Sequence, residues 1–186
     1  MTEHGGGPHQ PAGPLPVPLE RFLDCAVALA SECDRVVVCG TSFGAEAALL
    51  SGCYSLLASA VIAFAPSDVV WPGIMPDGRM VSHWGPDTEP LPFVPLCRDW
   101  EPVEDPPSFL DLYRRSFANQ TDMGRTAIPV EGIPQVLLVA GGDDRVWPSL
   151  EQAERISERR KLRGLATTVV TDLRAGHRTV LPASPS

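Results

Sequence analysis

Apolar residues follow two different patterns along the chain. Between Leu19 and Ala30 they recur at intervals of three and four residues, which predicts an amphipathic helix that begins after Pro18. A further helix is predicted from Ser149 to Gly164, where apolar and charged residues alternate at helical spacing. Because strands and helices alternate, the sequence favours an α/β fold with a parallel sheet of about four strands and flanking helices. Continuous apolar runs typical of buried strands occupy residues 35–39, 58–65, 135–140 and 166–170.

Two segments do not follow this alternation of strands and helices. Residues 1–18 are rich in Gly and Pro, so they are predicted to be a flexible start without helix or interior strand. Residues 67–133 carry many of the 20 prolines and show little periodicity before Phe109. We interpret this stretch as a lid-like insertion above a site, with an irregular surface segment as the alternative. The whole chain, 1–186, is expected to form a single domain.

Composition argues against several classes of partner. The net charge of -8 and the lack of a basic patch exclude nucleic acid and an anionic membrane surface. The basic cluster Arg155–Arg163 alternates with glutamates at helical spacing and is interpreted as a solvated helix face. No run is long enough to span a membrane, and no charged and apolar leader opens the chain, so we expect a soluble protein without a membrane partner.

Five cysteines without C-x-x-C spacing indicate a reducing compartment and no disulfide framework, so a cytoplasmic location is expected. Cys39, at the end of the first strand run, is expected to be a small buried hydrophobe. Metal-ligand spacing is not found either, and the sequence predicts no metal and no other cofactor.

The most informative motif is Gly40-Thr41-Ser42-Phe43-Gly44, which stands between the first predicted strand and an apolar helix. A strand, G-x-S-x-G and a helix in succession are typical of a nucleophile elbow, a sharp turn that exposes the serine hydroxyl. We expect crowding at this turn to require both glycines. The start of the helix favours developing negative charge, and Glu46 is interpreted as a favourable charge in its first turn.

Further candidate residues follow the later strand runs. Asp143 and Asp144 come directly after the third run, and His177 comes after the fourth. Since the carboxyl ends of parallel strands share one edge of a sheet, Ser42, one of the aspartates and His177 are expected to meet there. The order Ser, Asp, His along the chain is that of the catalytic triad in α/β hydrolases. His83 also follows the elbow and is interpreted as a surface residue of the lid.

The chain resembles the C-terminal catalytic domain of the acyl-CoA thioesterase and bile acid-CoA:amino acid N-acyltransferase family, which has an α/β-hydrolase fold. The resemblance implies Ser42 as the nucleophile, Asp144 rather than Asp143 as the acid, and His177 as the base. Asp143 would then cap the turn, and the amide of Phe43 would be an oxyanion-hole donor. The likeness spans roughly residues 15–182 and rests on LPVPLERF (15–22), GTSFG (40–44), AIPVEGI (127–133), GDDRVWPS (142–149) and AGH (175–177).

By the same resemblance the activity is hydrolysis of acyl-CoA thioesters through an acyl-enzyme, with acyl-CoA as the small-molecule partner. Family members that transfer the acyl group to amino acids carry cysteine at the nucleophile, so the serine here favours water as the acceptor. Two alternatives stay open. One is a carboxylester or dienelactone hydrolase with the same triad, and the other is an inactive remnant that acts as a binding or interaction module.

The resemblance also implies a departure from the full hydrolase fold. That fold has more strands than the about four predicted here, so the chain is expected to be truncated at both ends. The loop that supplies the second oxyanion-hole amide belongs to the strands that are expected to be missing. A sheet edge left open in this way is expected to favour self-association.

Overall fold

The computed structural model describes residues 17–85 and 89–178 of the chain. Most of the start predicted to be flexible, residues 1–16, lies outside the described residues. The helices are α1 (Glu20–Ala30), α2 (Phe43–Tyr54), α3 (Leu110–Ala118), α4 (Met123–Thr126) and α5 (Ser149–Leu162). The strands are β1 (Val17–Pro18), β2 (Val36–Thr41), β3 (Ala58–Phe64), β4 (Pro72–Ile74), β5 (Met80–Ser82), β6 (Trp84–Gly85), β7 (Val136–Gly141) and β8 (Thr168–Asp172).

The four strands predicted from apolar runs form one parallel sheet in the order β2-β3-β7-β8. Across the sheet, Gly40 pairs with Ala63, Ala63 with Leu138, and Leu138 with Val169. Helix α2 connects β2 to β3, and α5 connects β7 to β8, so each connection is a βαβ crossover. The α/β fold predicted from the sequence, a parallel sheet with flanking helices, is confirmed.

Helix α2 lies at the centre of the core. Every residue from Ala45 to Gly52 is buried, as expected for a helix that is apolar on all sides. Ala153 and Ile156 of α5 belong to the same core cluster, so both helices cover the same face of the sheet. These two helices pack the βαβ crossovers β2-α2-β3 and β7-α5-β8 against the core. The residues of the candidate site follow strands of these two crossovers.

Arg160 corrects the interpretation of Arg155–Arg163 as a solvated face. Its side chain is fully buried, and its guanidinium donates to the carbonyl oxygens of Val130 and Ile133 at 2.6 and 2.7 Å. It also donates to Thr167 Oγ1 at 2.9 Å. The prediction is wrong here because the guanidinium donates to backbone carbonyl oxygens and to the Thr167 hydroxyl instead of to water.

The described part of segment 67–133 contains the short strands β4, β5 and β6 and the α-helices α3 and α4. Strand β4 pairs antiparallel with β5, while β6 pairs in parallel with β1. Trp71 and Val94 from this segment form a second core cluster with Trp147. Trp84 is buried as well, so core packing accounts for three of the tryptophans. The role of the segment as a lid stays a prediction.

The other face of the sheet is exposed at both edges. Val37 on β2 is 51% exposed and Val170 on β8 is 39% exposed. The register places both valines on one face, together with Ile62 and Val139 of the inner strands. Cys39 lies on this face and is exposed, so its expected burial is wrong, because the helices α2 and α5 cover only the opposite face.

Candidate active site

Ser42, Asp144 and His177 follow three strands of the sheet at the same edge. Ser42 comes directly after β2, Asp144 follows β7, and His177 follows β8. Only β3 lies between β2 and β7, and β8 is adjacent to β7. Since neighbouring strands lie about 4.8 Å apart, the ends of β2 and β7 are about 10 Å apart. The three residues therefore lie at one edge of the sheet, within the reach of a few strand spacings.

The backbone at Ser42 has the geometry of a nucleophile elbow. Its φ of 59° and ψ of -126° lie in a region that residues with a Cβ rarely adopt, and such strain is concentrated at functional sites. A Cβ at Gly40 would overlap the carbonyl oxygen of Gly44, so the turn requires glycine at position 40. A Cβ at Gly44 would meet no atom within 4 Å. The expectation that crowding requires both glycines is therefore wrong at Gly44, which faces open space.

The turn is held through its backbone and leaves its reactive groups free. The Ser42 amide donates to the carbonyl oxygen of Phe64 at the end of β3, at 2.9 Å. The Ser42 hydroxyl makes no capping hydrogen bond, and none joins it to another side chain in the described part of the chain. Phe43 is the first residue of α2, so its amide has no acceptor within the helix and faces the helix N-terminus.

Asp144 and His177 are in direct contact. Nδ1 of His177 lies 2.9 Å from Oδ2 and 3.0 Å from Oδ1 of Asp144. The aspartate side chain is 2% exposed and that of the histidine 16% exposed. An Nδ1–H that donates to the carboxylate leaves Nε2 as the acceptor nitrogen of the neutral ring. This is the tautomer that a general base requires.

The amides after Asp144 orient its carboxylate. The N–H groups of Val146 and Trp147 donate to Oδ1 at 2.9 and 3.2 Å. Asp143 is exposed, and its side chain makes no hydrogen bond among the described residues. The turn is thus capped by Asp144 itself and not by Asp143, because the second carboxylate is the one directed into the loop.

A glycine at the end of β7 lets the histidine loop approach. A Cβ at Gly141 would overlap the carbonyl oxygen of Ala175, two residues before His177. The same carbonyl oxygen accepts a hydrogen bond from the Asp143 amide at 2.9 Å. These contacts place the loop after β8 directly over the end of β7, where Asp144 lies.

The chain matches a protein-family model described as BAAT / Acyl-CoA thioester hydrolase C terminal, over residues 30–186. It belongs to this family. The resemblance inferred from the sequence is confirmed, and so is the α/β-hydrolase-like fold class. At the level of the family, the match supports a hydrolase or acyltransferase that acts on acyl-CoA thioesters. A comparison with curated proteins gives no match.

In this member of the BAAT / acyl-CoA thioester hydrolase family, Trp147 contacts Phe43, Asp144 and His177 of the candidate site. Its ring lies 5.5 Å from the His177 ring and 5.3 Å from the Phe43 ring, edge-on to both. The indole Nε1 donates to the carbonyl oxygen of Ala65 at 3.2 Å. The spacing of Trp147, three residues after Asp144, is the signal that links it to the site.

His83 lies beside the elbow and not on an outer surface. Its ring is half-buried and packs on the Phe43 ring with the centroids 4.4 Å apart. Burial lowers the pKa of His83 below its usual value, because desolvation disfavours the imidazolium. The interpretation as a surface residue of the lid is therefore wrong, since residues 80–85 pack against the first turn of α2.

Glu46 is buried and is not a solvated first-turn charge. Its side chain is 0% exposed, and burial raises its pKa well above the usual range. A helix dipole favours a carboxylate by about 0.3–1 kcal/mol, whereas burial costs an ion several kcal/mol. Burial therefore outweighs the dipole, and the interpretation of Glu46 as a favourable charge is wrong.

Other features of the described residues do not add to the triad. Cavities of about 440 and 370 Å³ open on the 79–126 part of the chain, away from Ser42, Asp144 and His177. No group of three or more His, Cys, Asp or Glu side chains comes together as metal ligands in residues 17–85 and 89–178. Within the same ranges, no helix combines the length and apolar character needed to cross a membrane.

Proposed function

We propose that this chain is a serine hydrolase that cleaves acyl-CoA thioesters, with Ser42 as nucleophile, His177 as base and Asp144 as the acid. The observation that carries the proposal is the contact between His177 Nδ1 and the buried Asp144 carboxylate, at the sheet edge where Ser42 occupies a strained turn. Family membership supports the thioester as the bond that is cleaved.

The first half-reaction acylates Ser42. His177 Nε2 accepts the proton of the Ser42 hydroxyl as Oγ attacks the thioester carbonyl carbon. The Phe43 amide donates to the oxyanion of the tetrahedral intermediate at the N-terminus of α2. When the intermediate collapses, the C–S bond breaks and the coenzyme A thiolate leaves with the proton from His177.

The second half-reaction releases the acid. A water molecule gives a proton to His177 Nε2 and attacks the ester carbonyl, and the proton returns to Ser42 Oγ when the C–O bond breaks. Asp144 holds the imidazole in the required tautomer and stabilises its protonated form in both halves. Serine as the nucleophile favours water over an amino acid as the acceptor. The cytoplasmic location expected from the cysteines stays a prediction.

Labelling by a fluorophosphonate probe tests the proposal without a known substrate. Wild type should be labelled, Ser42→Ala should not, and Ser51→Ala should match wild type, because Ser51 is a buried serine on the same helix. If folded wild type is not labelled, the proposed hydrolase activity is contradicted and the alternative of a binding module is favoured. The rates of hydrolysis of acyl-CoA thioesters and of matched carboxylesters should then be compared. Faster hydrolysis of the carboxylesters would contradict the proposed thioesterase and favour a carboxylester hydrolase.

A further inference from the structure

Two neighbouring residues of the 80–85 segment contact the first turn of α2. The His83 ring packs on the Phe43 ring, and the Trp84 indole Nε1 donates to Oε2 of Glu46 at 3.0 Å. Phe43 and Glu46 are the first and fourth residues of α2. Both contacts therefore fall on the turn that directly follows Ser42.

A second element reaches the same carboxyl oxygen. The Trp71 amide donates to Glu46 Oε2 at 3.4 Å, and the Trp71 indole donates to Gln152 Oε1 of α5 at 3.4 Å. The carboxyl of Glu46 thus joins α2 to two separate parts of the chain, one at residue 71 and one at residue 84. Both donors lie in the segment between β3 and β7.

The surroundings of the other carboxyl oxygen bear on the protonation state of Glu46. Glu46 Oε1 is buried and has no hydrogen-bond partner among the described residues, and no cation is paired with the group there. An ionised carboxylate in such a place lacks the partners that offset its desolvation. Both N–H donors point at Oε2, which accepts them as the carbonyl oxygen of a neutral acid, so burial without a paired cation favours the protonated form.

We infer that Glu46 is a positioning residue, whose neutral carboxyl holds the first turn of α2 against Trp84 and Trp71 and so fixes the Ser42 side chain and the Phe43 amide. The inference rests on the proposed function, in which that turn carries the nucleophile and the oxyanion donor. A neutral acid holds the turn without placing a negative charge beside the oxyanion, whereas a carboxylate would oppose it.

The groups that face Glu46 allow its titration to be recognised. Tyr113 of α3 has its pKa raised above the usual value by burial first and then by Glu46 and Asp144. His83, next to Trp84, has its pKa lowered by burial. Gln152 and the two tryptophans do not ionise. A change in labelling rate with pH that disappears in Glu46→Gln is therefore assigned to Glu46.

The test measures the rate of fluorophosphonate labelling of Ser42 from neutral to alkaline pH. Glu46→Gln keeps an acceptor for both donors, so we expect a rate within about twofold of wild type at neutral pH, while Glu46→Leu should be slower by about tenfold or more. Wild type should lose labelling rate as the pH rises, and Glu46→Gln should not. Glu154→Leu, at an exposed glutamate of α5, is the matched control and should match wild type. Trp84→Phe removes one donor only and replaces Glu46→Leu if that variant does not fold.

The outcomes separate the inference from the proposed function. A tenfold lower labelling rate in Glu46→Gln would contradict a neutral Glu46 carboxyl. Equal labelling rates in all variants would contradict the positioning role of Glu46. If wild type is not labelled, the proposed function fails, but the indole N–H resonance of Trp84 still tests the contact. That resonance, identified by its loss in Trp84→Phe, should shift with pH in wild type and not in Glu46→Gln. An equal shift in both would overturn the inference.

Discussion

The indole Nε1 of Trp147 donates a hydrogen bond to the carbonyl oxygen of Ala65. Ala65 follows β3 and has a φ of 44°, so its carbonyl is directed by an unusual backbone conformation. Trp147 also donates its amide N–H to Asp144 and lies edge-on to Phe43 and His177. One tryptophan thus connects the end of β3 with the loops after β2, β7 and β8.

Trp147→Phe removes the indole donor and keeps most of the aromatic contact. The Ala65 carbonyl oxygen is then left in a fully buried place without its partner. We expect the free energy of unfolding to fall by about 1–3 kcal/mol, measured by urea denaturation. Trp100→Phe is the control, since Trp100 is half-buried and lies outside both core clusters. An unchanged stability of Trp147→Phe would show that the hydrogen bond contributes nothing measurable.

Asp144→Asn and Asp143→Asn separate the two neighbouring carboxylates. Asparagine at 144 no longer stabilises the Nδ1–H tautomer of His177, so the release of coenzyme A thiol should slow by about ten-thousandfold. Asp143→Asn changes an exposed side chain and should stay within about threefold of wild type. The reverse result would move the acid to Asp143 and leave the Asp144–His177 contact without a catalytic role.

The main sheet and its helices could be predicted from the sequence because their signals are local. Each buried strand is a continuous apolar run, α1 repeats apolar residues at helical spacing, and α2 is an apolar stretch of helical length. The shared edge of Ser42, Asp144 and His177 followed from chain order, since parallel strands bring their carboxyl ends together. Strand β8 still begins two residues after the run that predicted it, because its pairing with β7 starts at Thr168.

The surroundings of Glu46 and Arg160 could not be predicted, since their partners are distant in sequence. Glu46 bonds to Trp84, 38 residues away, and Arg160 bonds to Val130, 30 residues away. Local rules assign both residues to helix surfaces, by dipole for the glutamate and by charge alternation for the arginine. Both side chains are instead buried. Their burial follows from the packing of residues 67–133 against α2 and α5, which local sequence patterns do not show.

Arg160→Lys tests the buried guanidinium. A lysine has a single charged nitrogen with three donors and cannot reach the carbonyl oxygens of Val130 and Ile133 together with Thr167. We expect the free energy of unfolding to fall by about 2–4 kcal/mol, because buried carbonyls lose their donors. Arg163→Lys, at an exposed position after the same helix, should change it by less than about 0.5 kcal/mol. Equal losses of stability in Arg160→Lys and Arg163→Lys would contradict a structural role that is specific to the buried Arg160.

The buried acid should also appear in the dependence of stability on pH. The pKa of Glu46 is raised in the folded state by burial, so the folded chain holds this proton more tightly than the unfolded chain. Its contribution is fully present below the usual carboxyl pKa and is lost as the pH rises through the folded value. Burial also raises the pKa of Cys53 to about 12, which adds a loss of the same sign at higher pH.

The difference between wild type and Glu46→Gln isolates the Glu46 contribution, since Cys53 is common to both. We expect the stability of wild type, from denaturation at a series of pH values, to fall relative to Glu46→Gln as the pH rises. Parallel curves for the two proteins would mean that Glu46 binds its proton equally in the folded and unfolded states.

Val37→Lys tests self-association through the edge strand β2. An edge strand offers unpaired N–H and C=O groups to a second copy, and a lysine on it opposes such pairing. We expect wild type to sediment as an oligomer and Val37→Lys as a monomer. Val170→Lys is the matched variant, because Val170 lies on the same face of the sheet but at the opposite edge. If only Val37→Lys dissociates, the contact is at the β2 edge. If both variants dissociate, the contact involves both edges or the exposed face between them, and the prediction that β2 alone is the contact is wrong. A monomeric wild type contradicts self-association.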